Sequence, residues 1–293
     1  MRNFLRKLFK LAAYSAAALV ILLAILVGLF RLFLPRLPEY QDDIENWASN
    51  AIGMEVQFSG MNARWGLSGP EVEFYDTELI HPDKQTRAIA ADLVSVGISV
   101  TSLLFDQKLE VDRVVIRNTS IEIRQLEDGQ WWIQGSLLDE LPKARASGSQ
   151  QLGDMEVVGE DIEILFLQPG DERPHFFRVP NVLVSIDEHR IALDADIRLP
   201  DDLGRGINMA ATRVLHLPED QRIWDVSVEA DNIELPGWAE LHPALEGRVL
   251  SGGGDIDVSF AVTGKDVSHA TLELDLEEVS LTEGHVFDLT GRF

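Results

Sequence analysis

Residues 11–30 form one uninterrupted apolar run of twenty residues, and no second run like it follows. As a helix, twenty residues rise about 30 Å, the thickness of a bilayer's hydrocarbon core. Arg2, Arg6, Lys7 and Lys10 precede the run, and only Arg31 and Arg36 closely follow it. That bias favours a cytoplasmic N-terminus and an exported body. A cleaved signal peptide would need a shorter apolar core with a small-x-small site just beyond it. Here the small residues Ser15, Ala16, Ala17 and Ala18 lie inside the run. All-round apolarity between basic flanks also argues against a core helix of a soluble protein. The sequence therefore reads as a basic cytoplasmic tail (1–10), a single transmembrane anchor (11–34) and a large water-facing body.

Charge limits what that body can meet. Six of the 25 basic residues flank the anchor, while all 49 acidic residues lie from Glu39 onward, leaving the body thirty charges to the negative side. Nucleic acid is excluded as a partner, since its phosphates demand a basic patch. Adhesion to an anionic bilayer through basic clusters is disfavoured for the same reason. The chain has no cysteine, which removes disulfides, zinc-thiolate sites and cysteine nucleophiles.

Beyond the anchor, Tyr40, Ile44, Trp47, Ala48 and Ala51 recur at helical spacing, and Gly53 supplies a stop. A juxtamembrane amphipathic helix is expected within 35–53. It would lie on the bilayer or cover the first edge of the sheet that comes next. From Met54 the period becomes two, as in 55–58, 71–74, 93–100, 109–111 and 121–123. Residues 136–153, with Pro142 and Ser147-Gly148-Ser149, read as a loop. Alternation resumes in 161–164, 182–186, 191–197, 224–228, 255–262 and 272–276. Short strands separated by turn residues indicate an all-β meander. Pro236 to Gly247 leaves room for one helical turn before Pro243.

Strict alternation makes one sheet face apolar and the other wet. After Ile52 no amphipathic helix is long enough to cover the apolar face. The remaining covers are a second sheet, closure into a barrel, or a bound apolar ligand.

Catalytic signals are weak. His81, His175, His189, His216, His242, His269 and His285 are scattered without metal-ligand spacing. Residues 66–70 approach a nucleophile elbow but lack its final glycine. Gly252-Gly253-Gly254 lacks the lysine and helix of a phosphate loop and reads as a bulge or kink entering a strand. Asp255, Asp257, Glu273 and Asp275 suggest calcium, but period two explains them as a solvated strand face. Trp131-Trp132 reads as packing or an edge cover. No catalytic residue, metal site or cofactor is assigned.

Residues 56–136 resemble the N-terminal unit of the AsmA-like family, in its YhdP branch. The resemblance rests on 52–56 after a short helix and on Ala63-Arg64-Trp65. It continues through Gly69-Pro70-Glu71-Val72-Glu73-Phe74-Tyr75-Asp76, the segments 90–96 and 102–104, and 109–116 with 121–124. It closes on Asp128-Gly129-Gln130-Trp131-Trp132-Ile133. It implies a mostly β fold: an N-terminal transmembrane helix and a short amphipathic helix, then a long curled antiparallel sheet forming a repeating β-groove. A first β unit would fill 54–135, and the groove would continue through 154–293. Members of this branch are far longer, so the chain is expected to be an N-terminal fragment, truncated at its C-terminal end.

The implied location is a Gram-negative inner membrane, with the body in the periplasm. The implied function is the inner-membrane end of a bridge carrying phospholipids toward the outer membrane or an outer-membrane protein, without enzymatic activity. Acyl chains would then cover the apolar face. The expected lining is Val72, Phe74, Val94, Val96, Ile98, Val111, Ile121, Ile123, Ile162, Ile164, Val182, Val184, Leu193, Ile256, Val258, Phe260, Leu272 and Leu274. The alternative is a structural or assembly factor for outer-membrane proteins that receives strands at exposed sheet edges.

Overall fold

The computed structural model describes residues 40–52, 54–66, 69–81, 87–100, 102, 110–126, 130–134, 136–137, 154–169, 174–215, 223–241, 245, 247–263, 266–282 and 286–293. It also describes nine positions of the N-terminal run: Tyr14, Ser15, Ala17, Ala18, Val20, Ile21, Ala24, Ile25 and Gly28, all helical and all exposed. The rest of the expected anchor lies outside the described residues. Among the described residues no helix is long and apolar enough to cross a membrane.

The body begins with helix α1 (Gln41–Ile52). The strands β1 (Glu55–Gln57), β2 (Gly60–Trp65), β3 (Pro70–Ile80), β4 (Arg87–Ile98) and β5 (Val111–Gln125) follow. Next come two short strands, β6 (Trp131–Ile133) and β7 (Ser136–Leu137). The second half holds β8 (Met155–Leu167), β9 (His175–Ile186), β10 (Arg190–Arg198), β11 (Gly204–Val214) and β12 (Ile223–Glu234). The six-residue α2 (Leu235–Glu240) precedes β13 (Val249–Thr263), β14 (Asp266–Leu281) and β15 (Val286–Arg292). All fifteen strands belong to one sheet, which runs from β1 and β3 through to β15 without closing on itself.

The expected antiparallel meander is corrected at one joint. β5 and β8 pair in parallel, Arg113 with Glu156 through Arg124 with Leu167. β6 has already turned back along the far end of β5, pairing Trp131 with Gln125. The chain must then return the length of β5 before β8 begins, which is the long connection a parallel pair requires. Ser136 and Leu137, expected in a loop, form β7; residues 138–153 lie outside the described residues. The runs at 111 and 121–123, expected as separate strands, belong to the single strand β5. The polar residues Arg117 to Ser120 at its middle hide that continuity.

That middle is also a crease. Asp76, Asn118 and Asp161 have φ of 49°, 51° and 54°. The left-handed region is open to Asp and Asn at modest cost because their short polar side chains bond locally. Register places Asp76 and Asn118 on either side of Asp92, and Asp161 beside Asn118. Asn118 Nδ2 donates to Asp92 Oδ2 at 3.1 Å. The line resumes at Asn232 (φ 48°), whose N–H donates to Asp255 Oδ1 at 2.8 Å. At Glu278 (φ 55°) the N–H donates to Asp288 Oδ1 at 2.9 Å.

Each left-handed residue reverses the parity of its strand. Phe74 and Leu79, an odd distance apart across Asp76, pack on the same buried cluster. So do Ala230 and Ile233 across Asn232. A Cβ built on Gly159 would lie 2.5 Å from Ile162 Cδ1 and 2.6 Å from Val182 Cγ1, so these three share a face across Asp161. Asn118→Val should therefore cost roughly 1–3 kcal/mol through the strained left-handed backbone, while Asn118→Gly stays near neutral. Urea denaturation of the two variants checks the difference.

Helix α1 covers both the first edge and the adjoining face. Gln41 Nε2 donates to the Phe58 carbonyl at 2.7 Å. Glu45 Oε1 accepts the Phe58 N–H at 3.2 Å, and Ser49 Oγ accepts the Val56 N–H at 2.8 Å. Ile44 and Ala48 pack on Val56, Phe58 and Met61. Trp47, at 66% exposure, faces away. Near the other end, α2 lays Leu235 and Trp238 over Ala230, Ile233, Leu276 and Val279. The Trp238 indole donates to the Leu203 carbonyl at 2.7 Å.

Candidate functional site: an open apolar face

Side chains on directly paired residues project from the same face of a sheet, so register can be followed from strand to strand. One row runs Ala63, Val72, Val96, Val114, Val157, Val184, Leu193, Ala211, Val226, Phe260 and Ala270. The next on that face runs Met61, Phe74, Val94, Ile116, Gly159, Val182, Ala195, Met209, Val228, Val258 and Leu272. Every residue in both rows is apolar or glycine across eleven consecutive strands. A third row extends the face through Ile197, Ile207, Ala230, Ile256 and Leu274.

The opposite face is mostly polar, with charge concentrated in one row. Its clearest row runs Arg117, Glu160, Asn181, Asp196, Asn208, Glu229, Asp257 and Glu273. Arg117 is ion-paired with Glu160, and this hydrogen bond raises the guanidinium pKa above its ordinary value. Arg64 Nε bridges Glu71 Oε2 at 2.9 Å and Glu73 Oε1 at 3.1 Å. Asp257 and Glu273 are register partners here. Asp255 and Asp275 are also partners, at the crease, where Asp275 accepts the Thr290 hydroxyl at 2.9 Å. No group of His, Cys, Asp or Glu among the described residues has the arrangement to hold a metal ion. This face also carries Val115 and Val158, both buried between Arg113 and Glu156 on one side and Arg117 and Glu160 on the other.

Register places the eighteen residues expected to line a groove on the same face. Val72, Phe74, Val94, Val96, Val182, Val184, Leu193, Val258, Phe260 and Leu272 stand in the first two rows, and Ile256 and Leu274 in the third. Ile98 alternates from Val96, and its register partner is Val111. Ile121 and Ile123 pair with Ile164 and Phe166, and Ile162 shares the face through its approach to Gly159. The expected lining leaves out Val114, Ile116 and Val157, and also Val226 and Val228 although the alternation of 224–228 is visible. It also misses Met209 and the whole of β11, whose Gly, Ala and Thr content gives little alternation. The expected Trp131-Trp132 cover is split between faces. Trp131 stacks on Phe166 with centroids 5.9 Å apart, and Trp132 lies under the Arg124 guanidinium at 5.2 Å.

Apart from its two ends and the margin that α2 follows, this apolar face has no second layer among the described residues. The main contacts of each strand are with its hydrogen-bonded neighbours, and α1 covers the first end of the rows. α2 covers the far end and reaches along the strand ends, its Trp238 bonded to Leu203 and the Leu241 carbonyl accepting from Gln168 Nε2 just past β8. Between them Val94, Val96, Ile116, Val182, Val184, Leu193, Met209 and Val226 remain half-buried rather than buried. Neither the sandwich nor the closed barrel is present in the described residues.

An unclosed sheet that is apolar along one face and wet along the other defines an open-troughed β-protein, whose site is a surface rather than a constellation. The chain belongs to the YhdP family: the family model described as YhdP protein matches residues 1–289. It is similar to the intermembrane phospholipid transporter YhdP of Escherichia coli (strain K12), at 26% identity over 276 residues. The aligned part is 90% of this chain, which spans about a fifth (21%) of that relative's length.

Proposed function

We propose that this chain is the membrane-proximal portion of a lipid conduit, in which phospholipid acyl chains lie along the apolar face and headgroups stay at its wet margins. The observation that carries the reading is the pair of apolar rows crossing eleven strands with no second layer on their middle. Leaving that surface to water is unfavourable by about 25 cal/mol per Å², and so large an apolar patch marks a binding surface. Similarity to a phospholipid transporter supports acyl chains as the cover. Residues 11–34 would hold the body at an inner membrane, N-terminus inside. The exposure of Tyr14, Val20, Ile21 and Ile25, at 55–72%, suits side chains that meet lipid. The face begins at α1, so lipid would enter between the anchor and Ile52. Transfer would be passive sliding, with the body periplasmic and further units carrying cargo toward the outer membrane.

Neighbouring residues on β11 give a direct test. A photo-crosslinking amino acid at Met209 or Val182 should form phospholipid adducts in a Gram-negative host. The same probe at Asn208, on the opposite face, should not. Absence of adducts at Met209, or equal adducts at Asn208, would sink the proposal.

A further inference from the structure

Among the described residues, a charged side chain stands in a further row of the apolar face. A fourth register row runs Met155, Ile186, Ile191, Arg213, Trp224 and Val262. Each of these residues is the first, second, penultimate or last of its strand. The row is therefore a rim, beyond which the strands turn.

Arg213 on that rim differs from four arginines of the wet face. It also differs from Arg178 and Arg198, which make no ion pair among the described residues either, in having a buried Nε. Arg64, Arg117, Arg124 and Arg292 each reach a carboxylate within 3.1 Å. Arg213 reaches none among the described residues. Its Nε is buried and has no hydrogen-bond partner among the described residues. Its guanidinium lies 5.6 Å from the centroid of the Trp224 ring, and its register neighbours are Ile191 and Trp224. Stacking on an indole orients a guanidinium but satisfies none of its N–H donors. Arg213 as a whole is half-buried, and it is its Nε that is shut from solvent. A donor left there without a partner is costly, and an acceptor oxygen relieves that cost. The planar fork of an arginine matches two oxygens of a phosphate.

We propose that Arg213, held on Trp224, contacts a phosphate oxygen of the molecule whose apolar part lies on the adjoining rows. This rests on the lipid-conduit reading and names its specificity determinant: a phosphate-bearing lipid is held at this rim in preference to a neutral lipid of the same chains. Sliding acyl chains have no intrinsic register along an apolar face. A fixed cation at the rim gives them a preferred depth and sets the headgroup over β11 and β12.

The test offers the full chain vesicles containing equal amounts of phosphatidylglycerol and diacylglycerol with matched acyl chains, and measures retained lipid by mass spectrometry. Wild type should retain phosphatidylglycerol in excess. Arg213→Met, which keeps length and apolarity, should lower the retained ratio about tenfold, the worth of one charge-assisted hydrogen bond. Arg213→Lys should restore part of it, and also carries the test if the methionine variant does not fold. A wild-type ratio in a folded Arg213→Met would overturn this inference alone, leaving Arg213 a support for the β11–β12 turn. Retention of neither lipid by wild type would overturn the conduit reading with it. Millimolar inorganic phosphate should leave the ratio unchanged. If it lowers the ratio as far as Arg213→Met does, the site holds free anions and the lipid assignment fails.

Discussion

Aspartate at Val258 or Ile123 is expected to remove most bound phospholipid while the sheet stays folded. Val258 lies in the second row between Val228 and Leu272, and Ile123 pairs with Phe166 across the parallel joint. Both are half-buried. A carboxylate there keeps access to water once lipid is absent, so it costs the empty protein far less than a charge buried in a closed core. With lipid present the same carboxylate would have to be desolvated against acyl chains, and occupancy falls. Ser259→Asp, one residue along β13 and on the wet face, is the matched control and should retain lipid at the wild-type level. Mass spectrometry of co-purified lipid and a thermal melt separate lost binding from lost folding. Wild-type lipid content in a folded Val258→Asp would remove the trough as the binding surface.

The largest effect on stability is expected at Gly254. Its φ is 145°, and an added Cβ would lie 2.0 Å from the Asp275 carbonyl oxygen on the paired strand. A rotamer change cannot relieve contact with a backbone atom. Gly254→Val must therefore move β14 away from β13 or abandon the backbone conformation. The expected cost is roughly 3–5 kcal/mol, combining left-handed strain with lost pairing. Amide exchange should accelerate first in β14 and β15. Gly247 also has positive φ (67°), but a Cβ added there would meet nothing within 4 Å, so Gly247→Ala should cost much less. A Gly254→Val melt matching that of Gly247→Ala would show that the kink tolerates a side chain.

Much of the fold can be read from the sequence because period two is visible wherever bulky apolar residues alternate with charges. That holds in 93–100, 182–186 and 255–262. It fails where inward positions hold Ala, Gly or Met, which is why β11 leaves no clear signal. It also fails at the crease. A reader who carries one parity through β5 groups Val111 with Ile121 and Ile123 and passes over Val114 and Ile116. The signal for the reversal is an Asp or Asn in mid-strand, as at Asp76, Asn118, Asp161 and Asn232. Such residues disfavour strands yet tolerate positive φ. Arg213 is not legible as part of the face, because its meaning depends on a six-residue register row in which Ile191 and Trp224 are its partners, and no local pattern marks it. The glycine run 252–254 reads as a kink, and the backbone supports it, with positive φ at Gly252 and Gly254 and shifted pairing between β13 and β14.

The parallel pairing of β5 with β8 has a consequence for how the chain folds. On either side of that joint, nearly every pairing is between strands adjacent in sequence, so each half can zip up from hairpins that close in about 1–10 μs. The joint instead needs Val111–Gln125 to find Met155–Leu167 in the same direction, across a much longer chain separation. Its loop-closure entropy is spent before any bond rewards it. The two meanders should therefore form as separate cooperative units and dock last. Mutations at the seam, such as at Val114 or Val157, should slow the final folding phase while leaving the earlier ones unchanged.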